Sequence, residues 1–303
     1  MANIVAEYGI RAKKAFGQNF LVDDAALSSI ANAVDVTGKD VIEIGPGYGA
    51  LTERLLAMNP RSLTLVELDS DMVAILEDRV LKGDLRIPEG TAFEILKRDV
   101  LKYGPKFSEY RVIANIPYYI TSPILDRFLY ELPVRPEAMV ILMQKEVAER
   151  IVAKDGKESG LSLFCKNACV SIEHVAKVPA GCFRPAPKVD SAVLRFMVDS
   201  ASTDPKDGSL ANVLVRESDS RSDGILQKQP EDGNRIPEPA DCLLSPTRLS
   251  GPEASPPHDR DADARFLKTV RAGFSSPRKK AVSNLSNGFG IPKESVAMLF
   301  AEL

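Results

Sequence analysis

The sequence predicts an α/β protein, a mainly parallel sheet with helices on both faces, followed by a small C-terminal helical domain. Three observations carry that expectation. Apolar runs of strand length alternate with amphipathic stretches of helix length from Asp40 to Val198. The first such run, Asp40-Val41-Ile42-Glu43-Ile44, opens into the glycine turn Gly45-Pro46-Gly47-Tyr48-Gly49 and then a helix from Ala50 to about Met58. After a change of composition, helical patterning returns in Phe266, Leu267, Val270 and Phe274. The 303 residues divide accordingly into an α/β domain (1–198), an insert (199–264) and a basic helical module (265–303), with room for a core in each folded part.

Before the first strand, the arm Lys14-Ala15-Phe16-Gly17-Gln18-Asn19-Phe20-Leu21 mixes base, glycine, amide and aromatic groups. It is either a structural arm or a lid over a ligand. Asp23 and Asp24 start a helix through Ala26 to Val34, with Leu27, Ile30 and Val34 on one face. In the glycine turn the missing Cβ atoms let the backbone approach a ligand. No Walker lysine follows, since Gly49 leads into Ala50, Leu51 and Thr52, so a phosphate cradle is disfavoured. A second strand, Ser62 to Val66, ends in Glu67-Leu68-Asp69. An acid about 20 positions past the glycine turn is placed to accept hydrogen bonds from ribose hydroxyls. A helix spans Ser70 to about Lys82, with Met72, Ile75, Leu76 and Val80 as its buried stripe, and a third strand, Phe93 to Leu96, leads to Asp99. That carboxylate suits either an exocyclic amine or a helix cap.

Val112-Ile113-Ala114 forms the next strand, and Asn115-Ile116-Pro117-Tyr118-Tyr119 sits at its carboxyl end, before the helix start Thr121-Ser122-Pro123. Open α/β sheets keep their ligands at such ends. An Asn amide offers both an acceptor and a donor, and proline stiffens the backbone that presents it beside an aromatic face. Such a site suits a flat, amine-bearing ring. Beyond it come a helix from Ile124 to Tyr130, a strand from Ala138 to Leu142, and helices Lys145–Val152 and Leu161–Ala168. Strands follow over about Ile172–Val178 and Ser191–Val198. The loop Phe183 to Asp190 between them is stiffened by prolines and carries an aromatic, Phe183, and two cations, Arg184 and Lys188.

Charge is unevenly spread. Residues 199–264 hold 14 acidic and 7 basic side chains and no aromatic, so the whole-chain charge of −3 leaves +4 on the remainder. Low apolar content predicts disorder for that insert. Arg11, Lys13 and Lys14 at one end, and Arg265 to Lys280 at the other, make two basic clusters able to flank a phosphate backbone. Only His174 and His258 are present, which disfavours catalysis by a histidine base. Cys165, Cys169, Cys182 and Cys242 show no disulfide framework, so free thiols in a reducing compartment are expected and no metal site is assigned. MANIVAEYGIRAKK lacks an apolar leader core, and no apolar run approaches the roughly 18 to 20 residues that span a bilayer. A cytoplasmic protein is expected.

Several separated stretches agree in order and spacing with one family: FGQNFL, EIGPGYGALT, VELD, Asp99, NIPYYITSP, MQKEVAERI and FRPAPKVDSAV. The chain resembles the small-subunit ribosomal RNA adenine N6,N6-dimethyltransferases, the RsmA/KsgA family, over about residues 10–198, and more weakly at RAGFSSPRKKAVSNL. The resemblance implies a methyltransferase-type Rossmann-like sheet that uses S-adenosylmethionine. By it, Asn19 and Leu21 border the cofactor, Gly45 and Gly47 form its close-approach turn, and Glu67 holds its ribose. Asp99 meets the adenine, and Asn115 lies beside both cofactor and target, with Gln18 and Ile116 as neighbours. The Asn115 side chain and the Pro117 carbonyl would accept the target amine's hydrogens, with Tyr118 and Phe183 against the two faces of a flipped-out base. Arg184, Lys188, Arg278, Lys279 and Lys280 would bind RNA. The implied reaction puts two methyl groups on each of two adjacent adenines near the 3′ end of small-subunit rRNA, within an immature ribosomal subunit, by a monomeric enzyme. Two other readings remain: a large-subunit rRNA methyltransferase of the antibiotic-resistance type, and an RNA-binding assembly factor. The acidic insert departs from the family, which runs directly from its last strand into the helical domain.

Overall fold

The computed structural model describes residues 17–154 and 159–199 continuously, together with 4, 7–10, 12–13, 265–266, 268–270, 272, 281–290, 292–293 and 296. The insert beyond Asp199, and with it the disorder expected there, lies outside the described residues, as do Arg278, Lys279, Lys280 and Cys242.

Seven strands form one sheet: β2 (Asp40–Ile44), β3 (Ser62–Glu67), β4 (Ala92–Lys97), β5 (Arg111–Asn115), β6 (Ala138–Gln144), β7 (Cys169–Val178) and β9 (Ser191–Val198). Their order is β4-β3-β2-β5-β6-β9-β7. The first five in that order run parallel, and β9 pairs antiparallel with both β6 and β7. A separate two-stranded ribbon joins β1 (Phe20–Leu21) to β8 (Phe183–Arg184).

Period-2 alternation sends the two halves of each central strand to opposite faces. Ile42, Ile44, Val112, Ala114, Met139 and Ile141 enter one core cluster, whereas Val41, Leu63, Leu65, Ile113, Val140 and Leu142 enter the other. Helices cover both faces. Against the first cluster lie α4 (Thr121–Asp126), α5 (Lys145–Val152) and α6 (Gly160–Ala168). Against the second lie α1 (Asp24–Ala31), α2 (Ala50–Ala57) and α3 (Ser70–Lys82). Strands buried on both faces read as continuous apolar runs, which is why β6 is legible as Ala-Met-Val-Ile-Leu.

Four differences from the sequence reading have physical causes. The helix read as Ile124–Tyr130 is regular only to Asp126, then widens into a π turn over Arg127–Glu131 that buries Phe128, Leu129 and Tyr130. Strand β7 begins at Cys169, earlier than Ile172, because Cys169 pairs with Val198 beyond an irregularity between Cys169 and Ser171. In α3, Val73 and Arg79 are buried while Ile75 and Val80 are only half-buried. The Arg79 guanidinium earns its place by donating to the Tyr48 carbonyl at 2.7 Å. Finally, the C-terminal segment shares the α/β core: Phe266 and Val270 join the first cluster, and the Phe266 ring stacks on Tyr130 at 6.3 Å. Ala272, Leu285 of α7 (Ala281–Phe289) and Val296 form a small cluster of their own.

Cys165 and Cys169 are buried free thiols, and burial pushes the Cys169 thiol up to about 12. Among the described residues no group of His, Cys, Asp or Glu is arranged to hold a metal ion, and no helix is long and apolar enough to cross a membrane.

Candidate active site

Strand order reverses at β2, which has β3 on one side and β5 on the other. A crevice therefore opens above their carboxyl ends. All ten cofactor and catalytic candidates, from Asn19 to Phe183, line the cavity there.

The floor is the glycine turn between β2 and α2. Gly45 donates its N–H to the Val66 carbonyl at 3.0 Å, and a Cβ on it would stand 3.4 Å from the Asn115 carbonyl oxygen. Gly47 has φ +57°, and the Phe20 ring lies 3.3 Å from where its Cβ would be. Gly49 caps α2 at φ +90°, and a Cβ there would meet Leu76 at 2.9 Å. Left-handed backbone costs an L residue about 1–2 kcal/mol before any overlap. Gly49→Ala is therefore expected to lower unfolding free energy by at least about 2 kcal/mol, read by urea titration.

Glu67 ends β3 and is 8% exposed. Its Oε1 accepts the N–H groups of Leu68 (2.8 Å) and Asp69 (2.9 Å), and its Oε2 accepts that of Gly47 (3.2 Å). Burial raises its carboxyl, and these three backbone bonds work against the rise. A carboxylate has about four acceptor sites, so the fixed group keeps capacity for a hydroxyl in the cavity. Asp99 follows β4. It caps a short 3₁₀ turn, accepting from Leu101 N–H through Oδ1 at 3.0 Å, and it also lines the cavity, so cap and site coincide.

Asn115 is the last residue of β5, and its side-chain amide makes no hydrogen bond to a described residue. The Pro117 carbonyl accepts the Ile120 N–H at 3.2 Å, which leaves one lone pair. Tyr118 is half-buried, with its hydroxyl 2.8 Å from Ser191 Oγ, so its ring orientation is fixed from behind. Phe183 is 1% exposed and Leu21 2%; they pair across the β1–β8 ribbon. Asn19 spends Nδ2 on the Gly17 carbonyl at 3.1 Å and keeps its oxygen available.

Of the RNA candidates, only Arg184 and Lys188 fall among the described residues. Arg184 is exposed, and its Nη1 folds back onto the carbonyls of Gly181 (2.9 Å) and Phe183 (2.8 Å). Lys188 is exposed and makes no ion pair with a described residue.

Other cavity residues carried no role in the sequence reading: Glu43, Phe20, Leu68 and Tyr119. Glu43 is 1% exposed, and burial raises its carboxyl to about 8, against a 2.7 Å bond donated by Thr52 Oγ1. A carboxyl between Ile42 and Ile44 in an apolar strand was its signal.

A doubly covered sheet with a glycine turn, a strand-end acid and an Asn amide above one crevice defines a Rossmann-like methyltransferase. The likeness to solved structures agrees. A dimethyladenosine transferase from Plasmodium falciparum matches with TM-score 0.52 and 30% identity over 59% of this chain and 63% of that one. The 23S rRNA methyltransferase ErmE matches with TM-score 0.57 over 94% of this chain and 99% of that one; at 21% identity this shows the fold alone. The family model of ribosomal RNA adenine dimethylase matches residues 9–229, and the chain belongs to that family. Among curated relatives, ribosomal RNA small subunit methyltransferase A of Leuconostoc mesenteroides is 41% identical over 64% of this chain, which spans 66% of that relative's length. The protein of the same name from Dehalococcoides mccartyi is 32% identical over 96% of this chain and 80% of its own length.

Proposed function

We propose that this protein transfers methyl groups from S-adenosylmethionine to N6 of two adjacent adenines near the 3′ end of small-subunit rRNA, as a cytoplasmic monomer acting on an immature subunit. The observation that carries the reading is the Asn115 amide, without a hydrogen-bond partner among the described residues, beside the Pro117 carbonyl and in one cavity with the Glu67 turn. The residues fit the cofactor. Positive-φ glycines leave backbone clearance, Glu67 is fixed to accept ribose hydroxyls, and Asp99 and Asn19 keep oxygens unbonded among the described residues for an adenine amine and an ammonium. When bound, S-adenosylmethionine supplies a methyl group already activated by its sulfonium.

An adenine N6 is weakly nucleophilic because its lone pair is delocalised into the ring. Asn115 Oδ1 and the Pro117 carbonyl accept its two hydrogens, favour a pyramidal nitrogen and aim the lone pair across the cavity. The nitrogen is cationic and acidic once methylated and gives up one proton to solvent water; Asn115 Oδ1 then holds the single N–H that remains for the second transfer. Tyr118 and Phe183 bracket the flipped base, which offsets its lost stacking. No histidine is needed; His174 is exposed on β7, away from the cavity lining.

The direct test maps methylated adenines by mass after incubation with immature small subunits. Dimethyladenine at two neighbouring positions is expected. Modification of large-subunit RNA instead, or RNA binding with no methyl transfer, overturns the proposal. The cofactor half has its own test in Glu67→Gln. This variant keeps an oxygen for the Leu68 and Asp69 N–H groups but sets an NH2 against Gly47 N–H. Calorimetry is expected to give S-adenosylmethionine affinity lower by roughly tenfold or more. Unchanged affinity would place the ribose partner elsewhere.

A further inference from the structure

The arm touches both halves of the cavity. Gly17 packs on the Asn115–Tyr119 loop: a Cβ on it would stand 3.3 Å from the Tyr119 ring and 3.4 Å from Pro117 Cβ. Phe20 lies over Gly47 and pairs with Arg184. What holds this wall is Asp69, two residues beyond Glu67 and 2% exposed.

Asp69 Oδ1 accepts from Lys13 Nζ at 2.6 Å and from the Asp71 N–H at 3.0 Å, and its Oδ2 accepts from Gln18 Nε2 at 2.8 Å. The ring closes because Gln18 Oε1 accepts the Lys13 backbone N–H at 2.9 Å, and Lys13 also reaches Asp71 at 2.7 Å. Burial alone would raise the Asp69 carboxyl, yet the bonds from Lys13, Asp71 and Gln18 hold it below its ordinary value. Capping α3 does not require this. Asp23 and Asp99 cap their helices with one oxygen each and remain half-exposed. Asp69 instead gathers side chains from about fifty residues upstream into the turn that presents Glu67, and Asp69 N–H itself donates to Glu67. Further upstream, Tyr8 donates to Asp78 of α3 at 2.6 Å, so the arm is fastened along the same helix.

We propose that Asp69 is a positioning residue: through Lys13 and Gln18 it latches the arm against the Glu67 turn, setting the cavity wall before cofactor or adenine arrives. The inference rests on the S-adenosylmethionine reading of that cavity. Releasing the latch frees the wall that borders both cofactor and target, so affinity falls through lost preorganisation while the contacts to the ligand stay the same. Lys13 is about a third exposed, which limits the effect.

The test uses the full chain with Asp69→Asn, which keeps an oxygen for the α3 cap, with Lys13→Met, and with both together. Amide hydrogen exchange on ligand-free protein reads the arm, and calorimetry reads S-adenosylmethionine. Each single variant is expected to speed exchange over residues 17–21, leave α3 protected, and weaken binding by roughly tenfold. The double variant should be no worse than either single, and Lys13→Arg should restore both readings. Additive losses, an arm whose exchange does not change, or fraying confined to α3 would each overturn the latch. Should the parent bind no S-adenosylmethionine, the cofactor reading fails, while the exchange data still decide the latch.

Discussion

Asn115→Ala lowers single-turnover methyl transfer by about 100-fold or more at saturating cofactor, with RNA affinity within about twofold of the parent. Among the described residues the amide has no hydrogen-bond partner, and it ends β5, so its removal breaks no bond seen among them. In the proposed mechanism, what is lost is the acceptor that orients the amine. The Pro117 carbonyl cannot replace it, since one of its lone pairs is already taken by Ile120 N–H. Saturating cofactor matters because the proposed site puts Asn115 beside both ligands. A rate within a few-fold of the parent under those conditions would remove Asn115 from the orienting role and leave the Pro117 carbonyl as the main acceptor.

The parts of the site legible in the sequence are those fixed by local chain geometry. A strand end followed by glycine, acid or Asn-x-Pro places a side chain above a parallel sheet wherever the strands pair, which is why Gly47, Glu67 and Asn115 converge. What sequence pattern missed depends on contacts between distant segments. Glu43 is buried because α2 returns over β2 and offers Thr52. Arg79 lies outside the apolar stripe of its helix and is buried because its guanidinium meets the Tyr48 carbonyl. The link from Lys13 to Asp69 joins the arm to the turn after β3, and no periodicity encodes it. The antiparallel β9, inserted between β6 and β7, likewise follows from pairing and not from composition. The same reasoning explains the C-terminal segment. Its helical pattern was readable, but its attachment to Tyr130 through Phe266 was not.

Glu43 carries the second large effect, on stability. Burial pushes its carboxyl up to about 8 from an ordinary value of 4.5; the Thr52 hydrogen bond works against the rise, and the neighbouring Glu67 charge adds a smaller push upward. Between those two values the folded protein keeps the proton and the unfolded chain has released it. The folded state therefore binds more protons, and stability falls as pH rises, by up to about 1.4 kcal/mol per pH unit, levelling off above about pH 8. Below pH 4.5 the contribution is fully favourable. Asp40 and Asp69, whose carboxyls are held below their ordinary values, give the opposite slope at acid pH, and Glu67 adds to the Glu43 slope. Glu43→Gln isolates the one group: the amide oxygen still accepts from Thr52 Oγ1, and nothing titrates. Urea unfolding at pH 5, 6.5 and 8 is expected to show the variant gaining on the parent by on the order of a few kcal/mol across that range. Parallel pH profiles for the two proteins would mean that Glu43 is ionised in the folded state and is stabilised by a charge or donor within the cavity.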